Sequence, residues 1–254
     1  MTGMLRKALQ ALGIWAMVLL VMAAIWPPAL HLPQLWMVVS LSVLANILQP
    51  AYRPFEGSRT SEDRGTAAQI LWTVYLTQAA ALLELVWRRR VAIPLDLTTW
   101  AALAAMVGGL ALRTWAVALL GPWFTWNVTV QMDQQLVTRG PYRFIRHPGY
   151  TGALIMFVAS CVLLRSWLVA LLAALTLVQA FRRRIGYEEA LLVKALPGYQ
   201  AYMARTGTLF RESPSRATSP AVREQRSLSK RRGLRAGKRR SECSGCNVAF
   251  RLQF

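Results

Sequence analysis

Six apolar stretches dominate this chain: residues 8–26, 35–48, 67–87, 97–120, 151–164 and 167–181. A helix needs ~20 apolar residues to cross a bilayer, and lipid tolerates only segments that bond their own backbone groups. Runs of this length and number therefore leave little choice but a helical bundle solvated by lipid. The overall make-up, 55% hydrophobic and 16% charged with ten tryptophans, agrees. The expected fold is all-α, a polytopic transmembrane bundle of about five to six membrane helices.

Arg6 and Lys7 precede the first run, and Pro27-Pro28 ends it. The run exceeds the ~7–15 residues of a signal core and lacks a small-x-small site, so it reads as a retained span. Residues 35–48 are short for a span and would be tilted or pressed against neighbours. Together residues 1–50 form an N-terminal transmembrane hairpin. Residues 51–66 mix Arg53, Arg59 and Arg64 with Glu56, Glu62 and Asp63 around Pro54 and Gly57, and belong in water. Glu84 and Arg113 lie near the ends of the next two spans, where snorkelling to the interface is the expectation. Gly108-Gly109 reads as a site of close helix packing.

A single helix over residues 151–181 would overshoot a core of ~30 Å at 1.5 Å per residue. A hairpin with its tip at Arg165-Ser166 solves this and forms the C-terminal end of the bundle. It carries Arg182, Arg183, Arg184, Glu188 and Glu189 back to the side that holds residues 131–150, QMDQQLVTRGPYRFIRHPGY. With the N-terminus inside, that side also receives Arg6, Lys7, Arg53, Arg59, Arg64, Arg139, Arg143 and Arg146. The positive-inside rule then sets both polar clusters toward the cytoplasm, with Arg88, Arg89 and Arg90 as the exception. A bacterial inner membrane is the favoured location and the endoplasmic reticulum the alternative.

The net charge of +19 is concentrated at the end: residues 211–254 hold 12 Lys+Arg against 3 Asp+Glu. Residues 206–254 read as a basic, disordered tail suited to anionic lipid, with no specific nucleic-acid partner. Cys243 and Cys246 lack a second ligand pair, so zinc is not expected.

Residues 131–150 carry no Walker-type loop and no metal-spaced His/Glu pair. They supply arginines, tyrosines and His147. Gly140-Pro141 and Pro148-Gly149 each set a turn, pinning residues 136–150 in a bent path whose backbone groups can meet a ligand. An interfacial linker that holds lipid headgroups fits the same composition. It leaves unexplained why Arg184 and Glu188, four apart on one helical face, return to the same place.

GPYRFIRHPGYTG, then a helical hairpin, then RIGYEEALLVKALPGYQAY resembles the isoprenylcysteine carboxyl methyltransferase family, which is related to phospholipid methyltransferases. The likeness is close over residues 131–205 and holds only in pattern before them. It marks residues 67–205 as a methyltransferase-like membrane domain with a cytoplasmic-side site for S-adenosylmethionine. By the resemblance, Leu136, Val137, Tyr142, His147, Pro148, Tyr150 and Glu188 contact the cofactor, and Arg184 holds the substrate carboxylate. Gln131 corresponds to an upstream glutamine of the family. Gln134 stands near where the family has a histidine, a departure. A second departure is the basic tail, which replaces the family's short closing segment.

A carboxylate acceptor is ionised at neutral pH, its reference pKa being about 3.3–3.7, so methyl transfer to it needs alignment rather than a base. The resemblance thus implies a carboxyl O-methyltransferase acting on a lipophilic, isoprenylcysteine-like acceptor that enters from the membrane. Methylation of a phospholipid amine is the alternative within enzymes. A non-catalytic membrane protein that binds anionic lipid is the alternative of another class.

Overall fold

The computed structural model describes residues 2–49, 64–88, 92–126, 128 and 134–210. Gln131, most of the polar loop at 51–66, and the tail from residue 211 lie outside the described residues. Among the described residues seven α-helices follow in order: α1 (Thr2–Ile25), α2 (Pro33–Leu48), α3 (Thr66–Trp87), α4 (Leu97–Leu120), α5 (Pro148–Leu163), α6 (Trp167–Ala195) and the short α7 (Tyr199–Met203). Their limits follow local chemistry. Proline begins α2 and α5, where its missing N–H costs nothing. Asp96 caps α4 by accepting from the Thr99 N–H at 3.0 Å.

Residues 8–25, 66–87 and 97–123 are each long and apolar enough to cross a membrane, and α2 and α5 are shorter apolar helices. Only 11% of the apolar stretch in α3 is buried inside the protein, which leaves the rest for lipid. Outward-facing Leu20, Trp72, Leu76, Leu83 and Leu168 agree. The chain is a multi-pass, all-helical membrane protein. Its main core gathers Leu35, Leu85, Met106, Leu163 and Leu164.

The tightest contact is α4 against α5. A Cβ on Gly109 would lie 2.7 Å from the Gly152 carbonyl oxygen, and one on Gly152 would lie 2.5 Å from that of Gly109. Only glycine allows this approach, so close packing falls to Gly109, while Gly108 faces open space. The α5–α6 hairpin turns where expected. Arg165 takes a left-handed φ of 60° at the tip, and its guanidinium bonds the Asp96 carboxylate and, at 3.3 Å, the Thr99 hydroxyl. This tether places the starts of α4 and α6 on one face of the membrane. At 1.5 Å per residue α6 is ~44 Å long, more than the ~30 Å of a hydrocarbon core, so its C-terminal end runs beyond the lipid on the opposite face.

Three expectations change. Pro148-Gly149 is not a turn but the first residues of α5; the bend lies at Gly140–Arg143, a 3-10 turn opened by Gly140 at φ 61°. The backbone of residues 144–147 is not open to a ligand. The N–H of Arg146 donates to the Gly207 carbonyl at 2.8 Å, that of His147 to Thr208 at 3.2 Å, and that of Gly207 to Phe144 at 3.1 Å. Consequently Thr206 to Phe210, assigned by composition to the tail, pack on the helical body, and Leu209 is buried. Unpaired backbone beside a packed core is costly, and this short pairing satisfies it.

Candidate active site

The end of the α5–α6 hairpin opposite Arg165 collects side chains from four helices. α6 contributes Arg184, Glu188 and Glu189; the start of α5 contributes His147 and Tyr150; α4 contributes Arg113, and α7 contributes Tyr199 and Tyr202. One residue apart on α6, the two glutamates point about 100° from each other and enter different networks.

Glu188 accepts from the Tyr150 hydroxyl at 2.8 Å, and that hydroxyl accepts from Arg184 Nε at 2.7 Å. Tyr150 thus stands between the arginine and the carboxylate. Its ring stacks on His147 at 5.6 Å and on Phe181 at 5.1 Å, which fixes the hydroxyl in place. Arg184 is buried and donates further to the Trp126 carbonyl and, at 3.4 Å, to Thr66.

Glu189 meets Arg146 Nε at 2.7 Å and His147 Nε2 at 3.1 Å, while Nδ1 of the same imidazole lies 3.9 Å from Glu188. Arg146 also donates to the carbonyls of Met203 (3.1 Å) and Thr206 and to the Thr208 hydroxyl (2.8 Å). Burial raises the Glu189 carboxyl, but hydrogen bonds from His147 and Arg146 prevail and hold it below the ordinary carboxylate range. Burial pushes the phenols of Tyr142 and Tyr199 upward, and that of Tyr202 to about 12. These three phenols therefore stay protonated at neutral pH. The Tyr202 hydroxyl uses its proton on the Tyr142 carbonyl at 2.6 Å, clamping α7 to the 3-10 turn.

One cavity unites the sequence-derived residues. Gln134, Leu136, Val137, Tyr142, His147, Tyr150, Arg184 and Glu188 all line it. Pro148 does not; it is fully buried as the first residue of α5. Gln131 lies outside the described residues. Apolar side chains such as Val117, Leu120, Phe124 and Leu192 complete the wall. The cavity thus combines a cationic end, a carboxylate and a greasy flank.

Sequence reasoning missed several contributors. Arg113 does not snorkel away: its Nη1 donates to the Gly149 carbonyl at 3.0 Å, and the side chain lines the cavity. A charge inside an apolar run was the available signal. Glu84, in contrast, pairs with Arg88 at 2.8 Å, one turn further along at the end of α3. The roles of Arg146, Glu189 and Trp126 had no signal beyond residue type.

Residues 101–194 match the family model of the isoprenylcysteine carboxyl methyltransferase (ICMT) family. A probable protein-S-isoprenylcysteine O-methyltransferase of Oryza sativa subsp. indica is 36% identical over 96 residues, covering 37% of this chain and 50% of that protein. Protein-S-isoprenylcysteine O-methyltransferase of Schizosaccharomyces pombe is 37% identical over 94 residues, 36% of this chain and 40% of that protein. The chain thus spans half or less of the length of these curated relatives. The structure of a eukaryotic intramembrane Ras methyltransferase ICMT aligns with a TM-score of 0.48 at 21% identity, covering 70% of this chain and 67% of that one. The matched residues 101–194 hold most of α4, all of α5 and nearly all of α6, and over them the resemblance to the isoprenylcysteine carboxyl methyltransferase family is borne out.

Proposed function

We propose that this protein is an integral-membrane methyltransferase that moves a methyl group from S-adenosylmethionine to the carboxylate of a lipophilic, isoprenylcysteine-like acceptor. The observation that carries the reading is the Arg184–Tyr150–Glu188 chain of hydrogen bonds at one end of a cavity with an apolar flank. A lipid-binding linker has no use for a carboxylate held at fixed distance from a buried arginine.

The residues fit the cofactor. Glu188 keeps 31% of its side chain exposed and borders the cavity, a suitable place for a sulfonium charge. Leu136, Val137 and Tyr142 give a mixed apolar and hydrogen-bonding wall for its remainder. When bound, S-adenosylmethionine supplies an electrophilic methyl group. Arg184 holds the acceptor carboxylate by charge-assisted hydrogen bonds, and Tyr150 keeps that guanidinium at a set distance from Glu188. The acceptor is already ionised, so no side chain has to remove a proton. The apolar wall excludes water from the reacting carboxylate and receives the acceptor's lipid portion from the bilayer. By the distribution of positive charge along the sequence, the site faces the cytoplasm.

Titration calorimetry of the purified protein in detergent, together with labelled methyl transfer to farnesylcysteine, tests this. Binding of S-adenosylmethionine that is lost in Glu188→Ala and weakened in His147→Ala is expected. Absence of binding by the wild type, or equal binding by all three proteins, would refute the enzyme reading.

A further inference from the structure

Arg113 is a second cation at the depth of Arg184. The tether between Arg165 and Asp96 sets the starts of α4 and α6 on one face. At 1.5 Å per residue Arg113 then lies ~24 Å along α4, and Arg184 ~26 Å along α6. Both line the same cavity. Trp126 links them: its carbonyl accepts from Arg184, and its ring lies 5.6 Å from the Arg113 guanidinium carbon.

An arginine inside a membrane helix is costly and faces a partner or a polar cavity. Among the described residues, the hydrogen bond of Arg113 goes to Gly149 alone. That uses one of the five N–H groups of a guanidinium. Among the described residues, Arg146 is matched by Glu189, whereas the guanidinium groups of Arg113 and Arg184 both line the cavity.

Building on the proposed function, we infer that Arg113 is a specificity-determining residue of the acceptor site, receiving the ionised carboxylate together with Arg184. Two guanidinium groups lining one cavity favour an anionic acceptor, and a protonated amine would meet like charge from both. The position of Arg113 also depends on the Gly109–Gly152 approach one turn earlier, which brings α4 near enough to α5 for the side chain to cross to Gly149.

The test uses the full chain in detergent with farnesylcysteine as acceptor and its uncharged C-terminal amide as competitor. For Arg113→Gln we expect KM for farnesylcysteine to rise at least ~10-fold, as for the loss of a charge-assisted hydrogen bond. Affinity for S-adenosylmethionine should stay unchanged, and kcat should change far less than KM. Arg113→Lys, which keeps the charge but not the fork, should recover part of the loss. The wild type should bind farnesylcysteine in preference to the amide, and Arg113→Gln should lose that preference. An unchanged KM in Arg113→Gln, or a wild type that binds acid and amide alike, overturns the inference while leaving methyl transfer intact. If Arg113→Gln does not fold, the Lys variant and the wild-type acid-against-amide comparison still decide. A wild type that binds cofactor yet methylates no carboxylate overturns the functional reading itself, and this inference with it.

Discussion

Glu188 and Glu189 are neighbours on one helix and are put to opposite uses. Glu189 is enclosed by Arg146 and His147, and Arg146 in turn fastens Met203, Thr206 and Thr208. This is a satisfied network, and its product is position: it holds the start of α5, the end of α6 and residues 206–210 as one piece. Glu188 instead meets Arg184 through the Tyr150 hydroxyl and borders the cavity. Twice as much of its side chain is exposed, 31% against 15%. The contrast teaches that an acidic pair on one helix can divide into a carboxylate tied into a structural network and one that borders a cavity.

The sharpest way to break this comparison is to remove Arg184 or Glu189 in turn. Arg184→Ala should lower kcat on a carboxylate acceptor by ~10²–10³-fold, as expected for removing a preorganised charge donor, while S-adenosylmethionine still binds by calorimetry. Equal loss of both would show that Arg184 belongs to the cofactor end. Glu189→Gln should act on stability instead. It leaves the buried Arg146 without its counter-charge, at a cost of about 3 kcal/mol, seen as a lower unfolding temperature in detergent. Turnover per folded molecule should remain near the wild-type value.

Tyr150→Phe tests the bridge between the two charges. Deleting the hydroxyl keeps the ring stack but removes both hydrogen bonds, and about a 10-fold fall in kcat is expected from single-turnover assays. A fall in unfolding temperature without a change in kcat would make Tyr150 merely structural.

Acid separates the pair more gently. The folded-state pKa of Glu189 lies below its ordinary 4.5, so its stabilising contribution is complete above that value and is lost as pH falls through the lowered one. Melting curves should be flat from about pH 7 to about pH 5 and decline below about pH 4.5, and Glu189→Gln should remove that part of the decline. The smallest effect is expected at the far face, where Arg165→Ala loosens the α4–α6 tether in partly exposed surroundings and should leave turnover unchanged in the same assay.

Much of this was legible in the chain itself. Apolar run lengths predict α2 to α5 within about three residues, and α1 except for its first turns, because hydrocarbon demands a minimum length and internal backbone bonding. The hairpin at Arg165-Ser166 follows from the impossibility of one over-long span. GPYRFIRHPGYTG and RIGYEEA announced the residues that line the cavity. Other features were hidden. Residues 206–210 look like the start of a charged tail, since their pairing with residues 144–147 is a backbone matter that composition does not register. Arg113 looked like an interfacial charge, because linear distance to the end of a run says nothing about which face a side chain takes.

What the sequence determined by itself, then, is the solvent of the protein, its helical class and the chemical types gathered at one end of the bundle. These depend on local hydrophobicity and on spacing along a single helix. Which glutamate is enclosed and which borders the cavity, that a tyrosine hydroxyl separates Arg184 from Glu188, and that Arg113 reaches the same cavity were decided only by tertiary structure. The reason is geometric: each depends on where one helix meets another at ångström distances, and the Gly109–Gly152 contact midway along α4 and the Arg165–Asp96 tether at its start set those distances.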